Sequence, residues 1–117
     1  MNTPDKWVII KFKGLASSHD AAQDDSSSKG EEHYRVLAGW YGGYLYGDHW
    51  RLNSGITKVE EDGDYYLFHG YSGSVYKCHK DSYGLSSLTA GIYLGLEKHH
   101  NVEALPSTTD WLSLLEQ

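Results

Sequence analysis

The sequence predicts an α+β domain: a twisted antiparallel sheet of five to six strands, one helix packed on a face of that sheet, and a short C-terminal helix. Short strand-forming runs alternate with turn signals through most of the chain, and a single stretch with helical spacing follows them. The composition agrees, with ten Tyr, four Trp and thirteen Gly among 117 residues. Tyr and Trp favour strands and Gly favours turns, so we expect one β-rich domain over residues 1–117.

The first strand is predicted over residues 7–13 (WVIIKFK), a β-branched and aromatic run. Side chains alternate along a strand, so Val8, Ile10 and Phe12 share one face, and the opposite face is also apolar at its start. Both faces therefore need cover, and this strand is not expected to lie at a free edge of the sheet.

The composition changes abruptly over residues 14–32 (GLASSHDAAQDDSSSKGEE), which are rich in Ser, Asp and Gly. This segment has almost no large apolar side chains whose burial could offset the entropy lost on ordering. We therefore predict a mobile acidic loop, of a length that in a compact domain is either functional or dispensable.

From residue 33 onward a series of short strands is predicted, separated by turns that contain Gly, Asn or Asp. The expected strands are residues 33–41, 44–52, 56–60, 65–71 and 74–80. Asp62-Gly63 gives the strongest hairpin signal, because Asp-Gly tolerates the positive φ of a type I′ turn or a bulged loop. Ser72-Gly73 separates the next pair of strands in a similar way, so the last three strands are expected to form a meander.

The pattern becomes helical after residue 84. Four apolar residues recur at helical spacing: Leu85, Leu88, Ile92 and Leu96. They predict a helix over residues 85–98, in which Gly91 and Gly95 lie on one side and would permit a close approach to the sheet. A cap-like Ser-Thr-Thr-Asp cluster then precedes a short terminal helix, whose Trp111 is expected to dock on the sheet.

The charge balance excludes several classes of partner. The formal charge is −6, from ten basic and sixteen acidic residues, and Arg35 and Arg51 are the only arginines. Binding to phosphate backbones draws on clustered Lys and Arg, and this chain has no such cluster. No apolar stretch approaches the roughly 20 residues needed to span a bilayer, and no signal peptide is recognisable. We expect an acidic, cytoplasmic protein that binds neither nucleic acid nor membrane directly.

No catalytic residue, metal or cofactor is predicted. Cys78 is the only cysteine, which excludes an intrachain disulfide and a cysteine-rich metal site. Its neighbour His79 points to the opposite face of a strand, so a buried structural thiol is expected rather than a nucleophile with its base. The seven histidines lack the spacing of a zinc site. The expected hairpin register also places His69 opposite Tyr76 and not opposite His79.

Aromatic residues and glycines are interleaved over residues 40–50 (WYGGYLYGDHW). Tyr and Trp are enriched at interaction hot spots, although they also pack in the cores of ordinary sheets. Since only one face of a strand can point into the core, some of these rings are expected to face solvent or a partner. The candidate binding residues are Trp40, Tyr41, Tyr44, Tyr46 and Trp50, with Asp20, Asp24 and Asp25 of the acidic loop steering association through their charge.

Residues 37–85 resemble small uncharacterised proteins encoded by tailed bacteriophages and prophages, mainly through WRLNSGITKVEEDGDYYLFHGYSGSVYKCHK and the YG that follows. That group has no established activity, so the resemblance implies context and no site residues. The context is a small phage accessory protein in the cytoplasm of an infected bacterial host, with a host protein or protein complex as its partner.

Two functions are left open. The favoured one is a non-enzymatic phage accessory protein that binds, and could inhibit, a host macromolecule such as a defence-system component. The alternative is a protein that binds a small nucleotide-like ligand, or a hydrolase, through a Tyr- and His-rich sheet face. In that case His49, His69 or His79 would serve as acid, base or ligand contact. Self-association of the chain is compatible with both functions.

Overall fold

The computed structural model describes residues 1–13, 32–42 and 47–116. Apart from Glu32, the predicted acidic loop with its three candidate aspartates lies outside the described residues. Tyr44 and Tyr46 of the aromatic segment lie outside them as well.

The described residues form an α+β fold, and the predicted class is confirmed. The strands are β1 (Lys6–Phe12), β2 (His33–Trp40), β3 (His49–Leu52), β4 (Ile56–Asp62), β5 (Tyr65–Gly70), β6 (Val75–His79) and β7 (Val102–Ala104). The helix α1 (Ser87–His99) lies between β6 and β7 in sequence, and 3-10 helices cover Lys80–Ser82 and Trp111–Glu116. One antiparallel sheet has the order β3-β2-β1-β7, and a second has the order β4-β5-β6.

The prediction of one continuous sheet of five to six strands is wrong, because the chain changes sheets between β3 and β4. Asn53 Oδ1 accepts hydrogen bonds from the backbone N–H groups of Val36 (2.8 Å) and Gly55 (3.3 Å) in this connection. Gly55 has a φ of 129°, and a Cβ there would lie 2.8 Å from the Tyr71 ring. The tightly held turn directs the chain into a new sheet instead of into a hairpin with β3.

Strand β1 lies at the centre of the fold, and both of its faces are buried, as predicted. Val8, Ile10 and Phe12 pack against α1 on one face. Trp7 and Ile9 pack against the second sheet on the other. The fold therefore has three layers, with α1 on one side of the first sheet and the second sheet on the other.

The predicted β4–β5 hairpin is present, but the expected type I′ turn with Asp62-Gly63 as its loop is wrong by one position, because the loop is Gly63-Asp64. Asp62 pairs with Tyr65, and Gly63 has a φ of 60° while no described residue other than glycine has a positive φ. The glycine therefore holds the first position of a two-residue loop, which is where a type II′ turn places it.

The β5–β6 hairpin is also present, but its register differs from the predicted one. His69 pairs with Val75, and Tyr76 pairs with Phe68, so the predicted pairing of His69 with Tyr76 is wrong by one residue. The loop between these strands has three residues, closed by a hydrogen bond from the Gly70 N–H to the Ser74 carbonyl (2.9 Å). The extra loop residue shifts every pair in the hairpin by one position.

Helix α1 begins two residues later than predicted, because Ser86 is its N-cap in a capping box with Thr89. The prediction that Gly91 and Gly95 face the sheet is wrong, since both are exposed and a Cβ at either would meet no described atom within 4 Å. The close approach is made by Gly39 of β2, where a Cβ would lie 2.9 Å from Thr89 Cγ2.

Two C-terminal features complete the core. Strand β7 pairs with β1, and its three residues are too few to give a recognisable pattern in the sequence. Trp111 is 4% exposed and packs in the core between the sheets, which confirms the predicted docking. No helix in the described part of the chain is long and apolar enough to span a membrane.

Candidate binding surface

The end of β2 and the start of β3 bring the aromatic segment to one end of the first sheet. Trp40 pairs with His49 and Gly39 pairs with Trp50 across these two strands. We call Trp40, Tyr41 and Trp50 the aromatic edge. These are the candidate binding residues that the structure places, and the other five lie outside the described residues.

Trp40 has a structural role within the aromatic edge. Its indole is half-buried against the core between the sheets, and its Nε1–H donates a hydrogen bond to the Thr3 carbonyl (3.0 Å). The ring also stacks on the His49 imidazole, with centroids 4.9 Å apart and planes 5° apart. Trp40 therefore fastens the N-terminal residues to the sheet, and little of its ring remains available to a partner.

Tyr41 and Trp50 are exposed to solvent over 54% and 41% of their surfaces. The backbone N–H of Tyr41 is held by Asp5 Oδ2 at 2.8 Å, so the chain position is fixed while the ring projects outward. Trp50 lies on the opposite side of its strand from His49, because neighbouring side chains alternate along β3. Two large aromatic rings on a fixed backbone are suitable anchors for a partner.

The three histidines of the alternative function have separate partners. His49 stacks on Trp40, and His69 Nε2 lies 2.7 Å from Glu60 Oε1. His79 Nδ1 accepts a hydrogen bond from the Asp81 N–H (3.0 Å) and caps a 3-10 helix. Within residues 1–13, 32–42 and 47–116, no group of three or more His, Cys, Asp or Glu side chains could hold a metal ion.

Cys78 is buried beside Tyr76, as predicted. Burial raises the pKa of its thiol well above the usual range, so the thiol stays protonated at neutral pH. A protonated, inaccessible thiol is a core side chain and not a nucleophile.

Glu60→Gln is expected to reduce stability only where the Glu60 carboxylate is ionised. Hydrogen bonds from His69, which is the larger cause, and from Lys58 hold the pKa of Glu60 below its usual value of 4.5. A carboxyl whose pKa is lower in the folded state stabilises the fold above the unfolded pKa, and this contribution is lost as the pH falls through the folded pKa. Urea unfolding midpoints of the two proteins should therefore differ at about pH 6 and converge near about pH 3. A difference that stays constant down to the lower pH would contradict this expectation.

The structure also has a cleft that was not predicted from the sequence. Both arginines, Arg35 and Arg51, line a cleft of about 510 Å³ between β3 and the loop before β6. Its other residues include Trp50 and three serines from two separate connections. No local pattern could indicate it, because Ser54 and Ser72 are distant in sequence and meet only because β4 pairs with β5 within the second sheet.

No family model matches this chain, and no curated protein or solved structure matches it either. The likeness to phage proteins therefore stays a prediction. What the protein can bind has to follow from the chemistry of its described residues.

Proposed function

We propose that this chain is a non-enzymatic binding protein whose aromatic edge engages a macromolecular partner. The observation that carries the proposal is the exposure of Tyr41 and Trp50 together at one end of the fold; among the other aromatic residues that the structure describes, only Tyr71 in the β5–β6 loop is also exposed. Trp7 and Trp111, by contrast, are 0% and 4% exposed. Complete burial of an aromatic side chain removes about 150–250 Å² from water, and about half of the surface of Tyr41 and of Trp50 is still open for a partner to cover.

Binding is favoured over catalysis because the three candidate histidines and the cysteine each have a structural contact or a place in the core. Each of His49, His69 and His79 has a structural contact of its own. Cys78 lies in the core with a protonated thiol. A catalytic group instead needs access to substrate and a neighbouring partner that tunes it for proton or acyl transfer.

The partner we propose is a host protein or protein complex, such as a defence component, in an infected bacterium. This context rests on the resemblance of residues 37–85 to phage proteins. The formal charge of −6 favours a partner with a basic surface, since complementary charge speeds encounter and suppresses wrong partners. Inhibition would follow where the bound chain covers a surface that the partner needs.

Replacing Tyr41 or Trp50 with alanine is expected to weaken the complex by about 2 kcal/mol for each hot spot, which is roughly 30-fold in Kd. The melting temperature should change little, because both rings are exposed. The partner would be identified by pull-down from a bacterial lysate with mass spectrometry, and affinities would then be measured by calorimetry.

Leu94→Ala is the matched control, since Leu94 is 58% exposed on α1. This variant should bind like the unsubstituted protein. Normal binding by both aromatic variants, or an equal loss in Leu94→Ala, would show that the aromatic edge is not the binding surface.

A further inference from the structure

The four strands at the edges of the two sheets differ in what lies beside them. The N-terminal segment occupies part of the β6 edge, where the Asn2 N–H donates to the Val75 carbonyl (2.9 Å). On β7 the Ala104 N–H donates to the Tyr93 hydroxyl (3.1 Å), and β4 packs against the 3-10 helix Trp111–Glu116. Strand β3 has no such cover from the part of the chain that the structure describes.

The backbone groups at the outer edge of β3 belong to Trp50 and Leu52. The Asn53 N–H donates to the Val36 carbonyl (3.0 Å), so Asn53 and every second residue before it direct their N–H and C=O groups towards β2. The N–H and C=O groups of Trp50 and Leu52 therefore point away from β2. An exposed edge with free donors and acceptors can pair with a further strand.

The side chains of β3 alternate between the two faces of the first sheet. Leu52 packs in the core beneath α1, and Trp50, two residues before it, lies on the same face. Arg51 pairs with Ala38 and lies on the face towards the second sheet. A strand added beside β3 would therefore present one side chain to Arg51, and its two neighbours to Trp50 and Leu52.

The cleft beside β3 lies along this open edge. It is lined by Trp50, Arg51 and Leu52, which belong to both faces of the strand, and a cleft can contact both faces only at the edge. Its volume is about 510 Å³, and Ser72 and Ser74 form part of its far wall. The space beside the free backbone groups is therefore open to an extended segment.

Arg51 determines which charge that segment should carry. The Arg51 side chain is exposed and forms no ion pair with a described carboxylate. None of the described residues that line the cleft is Asp or Glu. An acidic residue opposite Arg51 forms a favourable cross-strand pair, whereas a basic residue is repelled. The charge at β3 is thus opposite to the net charge of −6.

We propose that β3 adds an extended segment of the partner to its open edge, antiparallel, with an acidic residue between two apolar residues. This inference rests on the proposed function, since Trp50 belongs to the aromatic edge, and it states how the partner is held there. The backbone of the two apolar residues would bond Trp50 and Leu52, and the acidic side chain would face Arg51. Antiparallel pairing is favoured because it is slightly more stable per residue, and both sheets use it.

The test is an amide NMR titration of the isotope-labelled full chain with the peptide Thr-Thr-Val-Glu-Val-Thr-Thr, blocked at both ends. We expect saturable shifts centred on the amides of Trp50 and Leu52, and slower exchange of these two N–H groups with water. The same peptide with lysine in place of glutamate should bind about fivefold more weakly, because its charge is repelled by Arg51.

Methylation of peptide nitrogens separates strand addition from simple ion pairing. Methylating both valine nitrogens removes the donors that would face β3, so binding should weaken about tenfold or more. Methylating the glutamate nitrogen is the matched control, because that N–H would face away from β3, and the affinity should stay within about twofold. No loss from the valine pair, or an equal loss from the glutamate, overturns the proposal.

Arg51→Glu should reverse the preference, so that the lysine peptide binds better than the glutamate peptide. Arg51 is exposed on β3, so the fold should persist, and a melting curve checks this. Lys58→Glu is the matched control, because it reverses the same charge on a β4 side chain that is 62% exposed and outside the cleft. Equal preferences in the two variants, or no shifts at β3 with millimolar glutamate peptide, also overturn the proposal.

Peptide binding is measured without the partner, so strand addition and the aromatic edge can fail separately. No peptide binding, together with a weakened complex in Tyr41→Ala, would overturn strand addition and retain the aromatic edge. Peptide binding at β3, together with normal complexes in both aromatic variants, would retain strand addition and overturn the aromatic edge.

Discussion

Trp7→Ala is expected to lower the free energy of unfolding by about 4 kcal/mol, the largest effect of any single substitution considered for this chain. Trp7 is 0% exposed, and its ring lies 4.7 Å from Tyr83, 5.4 Å from Phe68 and 5.7 Å from Trp111, measured between centroids. Its Nε1–H also donates to the His79 carbonyl at 2.7 Å. Removing the ring leaves a cavity where the first sheet, the second sheet and the C-terminal segment meet.

The measurement is urea unfolding followed by far-ultraviolet circular dichroism. Trp50→Ala removes the same side chain from an exposed position on an edge strand and serves as the control. It should lower the unfolding free energy much less than Trp7→Ala does, because the Trp50 ring is 41% exposed and its removal leaves no enclosed cavity. Equal losses in the two variants would contradict the assignment of Trp7 to the core and Trp50 to the surface.

Tyr83→Phe is expected to destabilise the fold by about 3 kcal/mol, although it removes only one oxygen atom. The Tyr83 hydroxyl donates to the Leu105 carbonyl (2.5 Å) and accepts from the Ile9 N–H (3.2 Å). Burial raises the pKa of Tyr83 to about 12, so the hydroxyl stays protonated and remains a donor. Without it, one backbone donor and one backbone acceptor lose their partner in a half-buried region.

The check is the unfolding free energy of Tyr83→Phe, compared with that of Tyr71→Phe. Tyr71 is 73% exposed, so its hydroxyl can exchange any protein contact for water. The control should be close to neutral. A Tyr83→Phe variant as stable as this control would show that the hydroxyl does not bridge β1 and the segment after β7.

Local patterns in the sequence were sufficient for elements whose signal lies within the element. The continuous apolar run around Val8 and Ile10 predicted a strand buried on both faces. Because side chains alternate along a strand, such a run places apolar residues on both faces, and both faces must then be covered. Gly63 predicted its hairpin because a tight loop needs a positive φ. Trp111 was predicted to dock on the sheet because a short terminal helix can bury a large aromatic ring only against another part of the fold.

Features decided by long-range contacts were not predictable in this way. The division into two sheets depends on the side-chain amide of Asn53, which bonds Val36 seventeen positions away. The outward orientation of Gly91 and Gly95 follows from which face of α1 meets the sheet, and the apolar spacing alone allowed a different rotation of the helix. The one-residue error in the β5–β6 register came from a loop length that the Ser72-Gly73 pair left open.

The candidate site also has some features that local sequence signals predicted and others that depend on long-range contacts. Composition indicated that some aromatic residues must lie outside the core, but it could not indicate which ones. Which rings are exposed is set by two contacts in the folded chain. The Tyr41 backbone N–H donates a hydrogen bond to the Asp5 side chain, and Trp50 pairs with Gly39. The cleft beside β3 could not be predicted from the sequence, because its lining residues come from β2, β3 and the connections before β4 and β6, which share no motif.

The most direct test of the aromatic edge as a binding surface is site-specific photo-crosslinking in bacteria that express the chain. A photoreactive phenylalanine derivative would replace Tyr41 in one variant and the similarly exposed Leu94 of α1 in another. We predict one discrete crosslinked adduct from position 41, lost on adding Trp50→Ala, and none from position 94. An adduct of equal yield from position 94, or no adduct from position 41 while the partner is still captured, would contradict the proposed binding surface.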